Sequence, residues 1–252
     1  MNKQEAYLHR IQEAYPNLDV ASVEFNTQGQ NSNVAVINKE FIFRFPKYSH
    51  AVEKLKTEMA ILKSIQGSVT LPVPDPVFIN LGQEGLGEAF VGYRLIPGEP
   101  LWRETFRMIE SKDVVRRLAD QVSAFLEALH SVAVEEVLGF ELPVHDTHEE
   151  SAGIYARIQE KLFGYMRPDA REWVTGHFEG FLNDANSFEY EPVLKHGDFG
   201  PSNILFDKEK QTITGVIDFG SSGMGAPRMT LPDCSVATGK DSLNTVAMST
   251  QR

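Results

Sequence analysis

The apolar positions keep two rhythms along the chain. Ala6, Tyr7, Ile11 and Ala14 recur at helical spacing and predict a helix over residues 2–15. Two short runs follow, residues 32–38 (S-N-V-A-V-I-N) and 40–45 (E-F-I-F-R-F), which read as strands joined by a tight turn at Asn38-Lys39. Val52, Leu55, Met59, Leu62 and Ile65 return to the helical period and predict a helix over 51–65. The segment L-P-V-P-D-P-V after it cannot be helical, because each proline biases the residue before it toward extended geometry. A further strand-like run, 89–96, closes on Pro97-Gly98.

Beyond Gly98 the pattern changes. Val115, Leu118, Val122, Phe125, Leu126 and Leu129 share one face of a strongly amphipathic helix over 114–132. Weaker helical patterns cover 149–166 and 169–183, and two apolar runs, 203–206 and 213–219, flank a polar turn and read as a hairpin. Residues 228–252 hold few large apolar residues, many Ser and Thr, and no period, which is the expectation for a tail. The chain therefore reads as α+β and bilobal. A strand-rich N-terminal lobe over 1–97 carries a hinge near 92–98, a helical C-terminal lobe spans 98–227, and an atypical tail follows over 228–252.

The length, 252 residues, suits one large domain or two small lobes, and 42% hydrophobic residues are enough for a sizeable core. No apolar run approaches the roughly 18 residues of a membrane span, and the polar start, residues 1–15, lacks the apolar stretch of a signal peptide. One cysteine, Cys234, supports neither a disulfide framework nor a cysteine metal site, so the expected compartment is reducing cytoplasm. Against 24 Lys+Arg stand 35 Asp+Glu, a formal charge of −11. That balance argues against nucleic acid and acidic membranes, whose phosphates need a basic face, and suits a cationic small molecule.

The chemistry is concentrated near the hairpin. Residues 195–205 read K-H-G-D-F-G-P-S-N-I-L, and Asp218-Phe219-Gly220 follows the second apolar run. Asp198 and Asn203 lie five apart around a Gly- and Pro-rich loop just before a strand, and Asp218 ends the returning strand. Two carboxylates and a carboxamide can thus converge at one end of a hairpin. Hard oxygen donors of this kind suit Mg²⁺, which binds through one or two carboxylates and phosphates and keeps several waters. Phosphoryl transfer needs such a set: Asp and Asn on metal, and another Asp for the hydroxyl proton. Taken singly, H-G-D is as readily an Asx-capped turn and D-F-G a strand ending; in this order around a hairpin they are far more specific.

On these motifs the sequence resembles the aminoglycoside phosphotransferase family, a branch of the protein-kinase-like fold that includes macrolide and choline kinases. H-G-D-F-G-P-S-N is similar to the family's catalytic loop and I-D-F-G to its metal-binding segment, over a resemblance that runs from about residue 20 to 225. The resemblance implies that Asp198 is the catalytic base, that Asn203 and Asp218 hold Mg²⁺, and that His196 holds the loop. It further implies that Arg44, in F-I-F-R-F-P-K, is the cation for the nucleotide phosphates, where protein kinases have Lys, and that Glu58 is its carboxylate partner. T-Q-G-Q-N-S-N, residues 27–33, matches a phosphate-covering loop whose amides, with Gly29 and the Ser32 hydroxyl, reach phosphate oxygens. Residues 92–98, including Arg94 and Ile96, match the hinge, whose backbone binds the nucleotide base, so side chains there do not separate ATP from GTP. F-R-F-P-K and I-P-G-E-P-L resemble the branch that acts on the amino sugar's 2″-hydroxyl, and macrolide kinases share similar pieces.

The pattern departs after Gly225. Ala226 stands where the family carries an acid, and 228–252 do not resemble the helices that follow in family members. The expectation is a chain shortened at its C-terminus. The resemblance then implies either an active antibiotic kinase with Mg²⁺ and ATP or GTP, or a nucleotide-binding remnant without transfer activity.

Overall fold

The computed structural model describes residues 2–27, 29, 31–81, 88–133 and 142–227. The expected tail, 228–252, lies outside the described residues, as does part of the loop over 27–33.

Helix α1 (Lys3–Ala14) starts at Asn2, whose side chain accepts from the Glu5 amide while the Glu5 carboxylate accepts from the Asn2 amide. This reciprocal cap satisfies two amides that the first turn otherwise leaves free. Tyr7 and Ile11, four apart, are the buried pair of the helix. They sit on a five-stranded antiparallel sheet of order β1-β2-β3-β5-β4. Its strands are β1 (Val23–Asn26), β2 (Ser32–Ile37), β3 (Phe41–Pro46), β4 (Pro76–Asn80) and β5 (Phe90–Arg94). The β2–β3 turn falls at Asn38 and Lys39, both with φ of 55°, so the expected turn is present.

Alternation along β3 separates the two faces of this sheet. Phe41, Phe43 and Phe45 point toward α1 and form one cluster with Tyr7, Ile11, Ala35, Ile37 and Phe90. Tyr7 stacks on Phe45 with ring centres 4.0 Å apart. Ile42 and Arg44 therefore face the other way, toward a cleft. Helix α2 (Ser49–Ile65) packs Leu55 and Met59 on Val91 of β5 and brings Glu58 to the same side. The helix starts two residues earlier than its apolar period suggests. Its buried face includes Ile61 in place of the expected Val52, because α2 meets both the sheet and the second lobe.

The C-terminal lobe is built on α4 (Lys112–His130), preceded by the short strand β6 (Glu99–Pro100) and the short helix α3 (Arg103–Arg107). Leu118, Phe125, Leu126 and Leu129 of α4 share a core with Ile61, Leu62 and Ile65 of α2 and with the hairpin β8 (Ile204–Asp207) and β9 (Thr212–Val216). Helices α5 (Thr147–Lys161) and α6 (Pro168–Leu182) pack on each other through Tyr155 and Phe178, stacked at 5.0 Å. Strand β7 (Val193–Lys195) feeds the H-G-D segment and pairs with β10 (Gly223–Gly225), so Gly223-Met224-Gly225 is an edge that closes this lobe. The architecture is the bilobal, kinase-like α+β fold expected from the sequence. Strands β1, β4, β6, β7 and β10 and helix α3 were not expected, being too short or too Pro- and Gly-rich to show a period. Among the described residues no helix is long and apolar enough to cross a membrane.

Candidate active site

A cavity of about 810 Å³ opens between the sheet and the β8–β9 hairpin. The H-G-D segment leaves β7 and turns sharply at Gly197, whose φ is 81°. A Cβ there would lie 1.9 Å from the Ser221 carbonyl oxygen, so only glycine lets the loop pass the D-F-G-S segment. His196 is fully buried against Phe199 and Phe219. Its Nε2 lies 3.0 Å from the Ile217 carbonyl, and its Nδ1 accepts from the Asp198 amide at 3.3 Å. One neutral tautomer satisfies both. Burial pushes the imidazole pKa below its ordinary value, and the Ile217 hydrogen bond and the neighbouring carboxylates pull it back only in part. The residue holds the loop.

The Asn203 side chain closes that loop by donating to the Asp198 carbonyl at 2.8 Å and to Asp198 Oδ2 at 3.1 Å. The Ile217 amide donates to the Asn203 carbonyl at 2.9 Å, which ties the end of the loop to the segment carrying Asp218. Asp218 itself sits at φ 66°, in the left-handed region that Asp tolerates better than most residues, and its side chain is half exposed. Asp198, Asn203 and Asp218 all line the one cavity.

Arg44 faces them from β3. Its Nη1 meets both Glu58 oxygens, at 2.7 and 3.0 Å, and its Nη2 lies 3.8 Å from Asp218 Oδ1. Burial works against the charged guanidinium, but Glu58, Tyr93 and Asp218 together hold its pKa above the ordinary range, so it stays charged. Burial also pushes the Glu58 carboxyl above the usual carboxylate range, with Arg44 opposing and Asp218 adding to the rise. An isolated buried carboxylate is expensive; the charged Arg44, whose Nη1 donates to both of its oxygens, is what makes Glu58 tolerable here.

Sequence reasoning passed over Tyr93. It lines the cavity beside Arg44, and burial raises the pKa of its hydroxyl while the Arg44 charge opposes the rise. Counting by two from Phe90, which packs toward α1, puts Val91 and Tyr93 on the cleft face and Arg94 on the opposite one. Arg94 accordingly pairs with Glu40 and lies over the Phe41 ring, 5.1 Å from its centre, and its side chain does not line the cavity. Ile96, Ser32 and Gly29 do line it, together with Lys54 of α2 and Leu95. The structure thus brings together Arg44, Glu58, Asp198, Asn203 and Asp218 with Ser32, Gly29 and Ile96, and leaves only Arg94 outside.

Among the described residues no three His, Cys, Asp or Glu side chains gather as a metal cage. The donors that do converge, one half-exposed carboxylate and one carboxamide, fit an ion such as Mg²⁺ that takes its remaining ligands from phosphate and water.

A cation buried in bidentate contact with a helix carboxylate faces an Asp–Asn loop and a second Asp across one cleft, and this defines a kinase-type phosphotransferase. The chain matches the phosphotransferase enzyme family (APH) over residues 22–231 and belongs to it. The GDP and kanamycin complex of the aminoglycoside enzyme APH(2″)-IIIa is similar at 26% identity and a TM-score of 0.86, over 97% of this chain and 82% of that one. The GDP complex of wild-type aminoglycoside 2'-phosphotransferase-IIIa is similar at 26% identity and a TM-score of 0.87, over 100% of this chain and 84% of the other. The macrolide 2'-phosphotransferase of Brachybacterium faecium shares the fold at 20% identity and a TM-score of 0.71, over 98% of this chain and 84% of its own. The protein is a small-molecule kinase of this family.

Proposed function

We propose that this enzyme moves the γ-phosphoryl group of ATP or GTP, with Mg²⁺, to a hydroxyl of a cationic small molecule, most specifically an aminoglycoside, and so acts in antibiotic resistance in the cytoplasm. The observation that carries the reading is the joint placement of the Asp198–Asn203 loop, Asp218 and the Arg44–Glu58 pair around one cavity. The similarity to enzymes solved with GDP, one of them also with kanamycin, supports the donor and acceptor classes. The formal charge of −11 favours a polycationic acceptor.

On this reading the chain divides at residue 97 into a nucleotide lobe and a catalytic lobe, with the main chain over 92–98, including Arg94 and Ile96, against the base. Arg44 neutralises phosphate charge and Glu58 fixes its direction. Asp198, held by Asn203, orients the acceptor hydroxyl and takes its proton as the oxygen bonds to the γ-phosphorus and the bond to the bridging oxygen breaks, releasing nucleoside diphosphate. Asn203 and Asp218 would hold Mg²⁺, which when bound supplies the remaining positive charge at the phosphates.

The test is a thermal melt with Mg-ATP or Mg-GTP followed by a phosphate-transfer assay on kanamycin, gentamicin and a macrolide. At a hundred times its dissociation constant a ligand adds about 2.7 kcal/mol, roughly 5–10 °C in melting temperature. Stabilisation by Mg-nucleotide and transfer to an aminoglycoside support the reading; a melt indifferent to both nucleotides overturns it.

A further inference from the structure

One stripe of α2 lines the cavity: Ala51, Lys54, Leu55 and Glu58, at the i, i+3, i+4 and i+7 positions of a single helix face. Ala51 and Leu55 are buried apolar residues, and both oxygens of Glu58 are taken by Arg44 Nη1. Lys54 is exposed, and its ammonium makes no hydrogen bond or ion pair among the described residues. It lies one turn from Glu58 and does not pair with it. The charged groups that line the cavity are Arg44 and Lys54 against Glu58, Asp198 and Asp218. Arg44 is matched by Glu58 and has Asp218 at 3.8 Å. Among the described residues, Lys54 is the one cation of the cavity whose charge is unmatched.

The topology says which part of the cleft this cation serves. Strand β3 runs away from the hinge: Phe41 is opposite Arg94, Arg44 is opposite Val91, and the strand ends at Pro46. Only Lys47 and Tyr48 separate it from α2, so the helix starts at the end of the sheet far from the hinge. Glu58 marks the level of the D-F-G segment, since a Cβ on Gly220 would lie 3.5 Å from both Glu58 Oε2 and Asp218 Oδ1. Lys54 is four residues nearer the helix start, about 6 Å along its axis. The cavity reaches past it to Ala51. A nucleotide whose base meets the main chain of 92–98 extends its phosphates past Arg44 in this same direction, which brings the last of them toward Lys54.

We propose that Lys54 is a second phosphate-binding cation of the site, which meets the terminal, transferred phosphoryl group. The proposal rests on the phosphotransferase reading above. A lysine suits the task, because its compact ammonium on a flexible four-carbon stem can reach a group that moves during transfer. Its role differs from that of Arg44, which is fixed by Glu58 and serves the phosphates nearer the base.

The experiment is calorimetric titration of the full chain, wild type, Lys54→Met and Lys54→Arg, with Mg-ATP and Mg-GTP and with the matching diphosphates, Mg-ADP and Mg-GDP. Methionine keeps most of the side-chain length and the helix propensity and removes the charge. At this exposed position the melting temperature without nucleotide is expected to stay within about 2 °C of wild type. Lys54→Met is expected to weaken the triphosphate that wild type binds by roughly tenfold, the scale of one charge-assisted hydrogen bond, and to leave the matching diphosphate within about twofold. Lys54→Arg, which keeps the charge, is expected to recover part of the loss. Unchanged triphosphate affinity in Lys54→Met overturns the proposal. So does an equal loss of diphosphate and triphosphate, the mark of a charge felt along the whole phosphate chain, and so does an arginine no better than methionine. Wild-type protein that binds neither triphosphate overturns the phosphotransferase reading and this proposal with it, an outcome distinct from the others.

Discussion

The Asn203 carboxamide donates to both the carbonyl and the side chain of Asp198, at 2.8 and 3.1 Å. This single side chain fixes the direction of the Asp198 carboxylate, which on the proposed function meets the acceptor hydroxyl. Asp198→Asn keeps the shape of the loop and an oxygen that can still accept from Asn203, but it removes the charge that the proposed function assigns to taking the proton. Transfer is expected to fall by roughly 10²–10⁴, the range for loss of a general base, while Mg-nucleotide affinity stays within about threefold. Single-turnover rates and titration on the same preparation check both halves.

Glu58 is matched to Arg44 by geometry and burial together. Glu58→Gln leaves the guanidinium with Asp218 at 3.8 Å as its nearest carboxylate, at a side chain that is half exposed. Removing one member of a buried pair strands the other charge. Because Asp218 and Tyr93 remain, the expected destabilisation is about 1–3 kcal/mol, below the usual range for a fully stranded ion, with KM for nucleotide raised several-fold or more. Urea unfolding and nucleotide kinetics are the measurements.

The resemblance in the sequence implied Asp198, Asn203 and Asp218 as the site because their motif is local: a loop, a two-strand hairpin and a turn place them with no help from distant parts of the chain. Arg44 and Glu58 were likewise implied only by the resemblance, since no local pattern marks either residue. The structure brings the strand and the helix that carry them face to face. Tyr93 was not singled out. The parity that turns Tyr93 into the cleft depends on knowing that Phe90 belongs to the α1 face, a tertiary fact. The edges β7 and β10 were invisible because three-residue strands carry no alternation to read.

His196 makes stability depend on pH in a predictable direction. Its imidazole is buried neutral, so its folded-state pKa lies below the unfolded value near 6.5. Between those two values the unfolded chain binds more protons, and stability rises with pH. The contribution is complete above about pH 6.5 and is lost as pH falls through the folded value. His130, also lowered by burial, acts in the same sense. Melts between pH 7.5 and 5 are expected to show falling stability, with a shallower slope in His196→Gln, although that variant starts lower. Parallel slopes would mean that the acid sensitivity lies elsewhere.

Gly197 is where the two halves of the site are locked together. Its φ of 81° is unfavourable to any side chain, and an added methyl would overlap the Ser221 carbonyl at 1.9 Å, which is main chain and cannot swing aside. Gly197→Ala must therefore push the H-G-D loop away from the D-F-G-S segment. That movement pulls His196 from the Ile217 carbonyl and separates Ser222 Oγ from the His196 carbonyl, now 2.9 Å apart. Strain of this kind costs about 1–3 kcal/mol per residue, and the lost buried hydrogen bonds add to it. The expected result is a chain destabilised by at least about 2 kcal/mol. Its residual transfer activity falls further than the folded fraction explains, because Asp198 moves with the loop. Activity per folded molecule equal to wild type would show that the loop adapts without displacing Asp198.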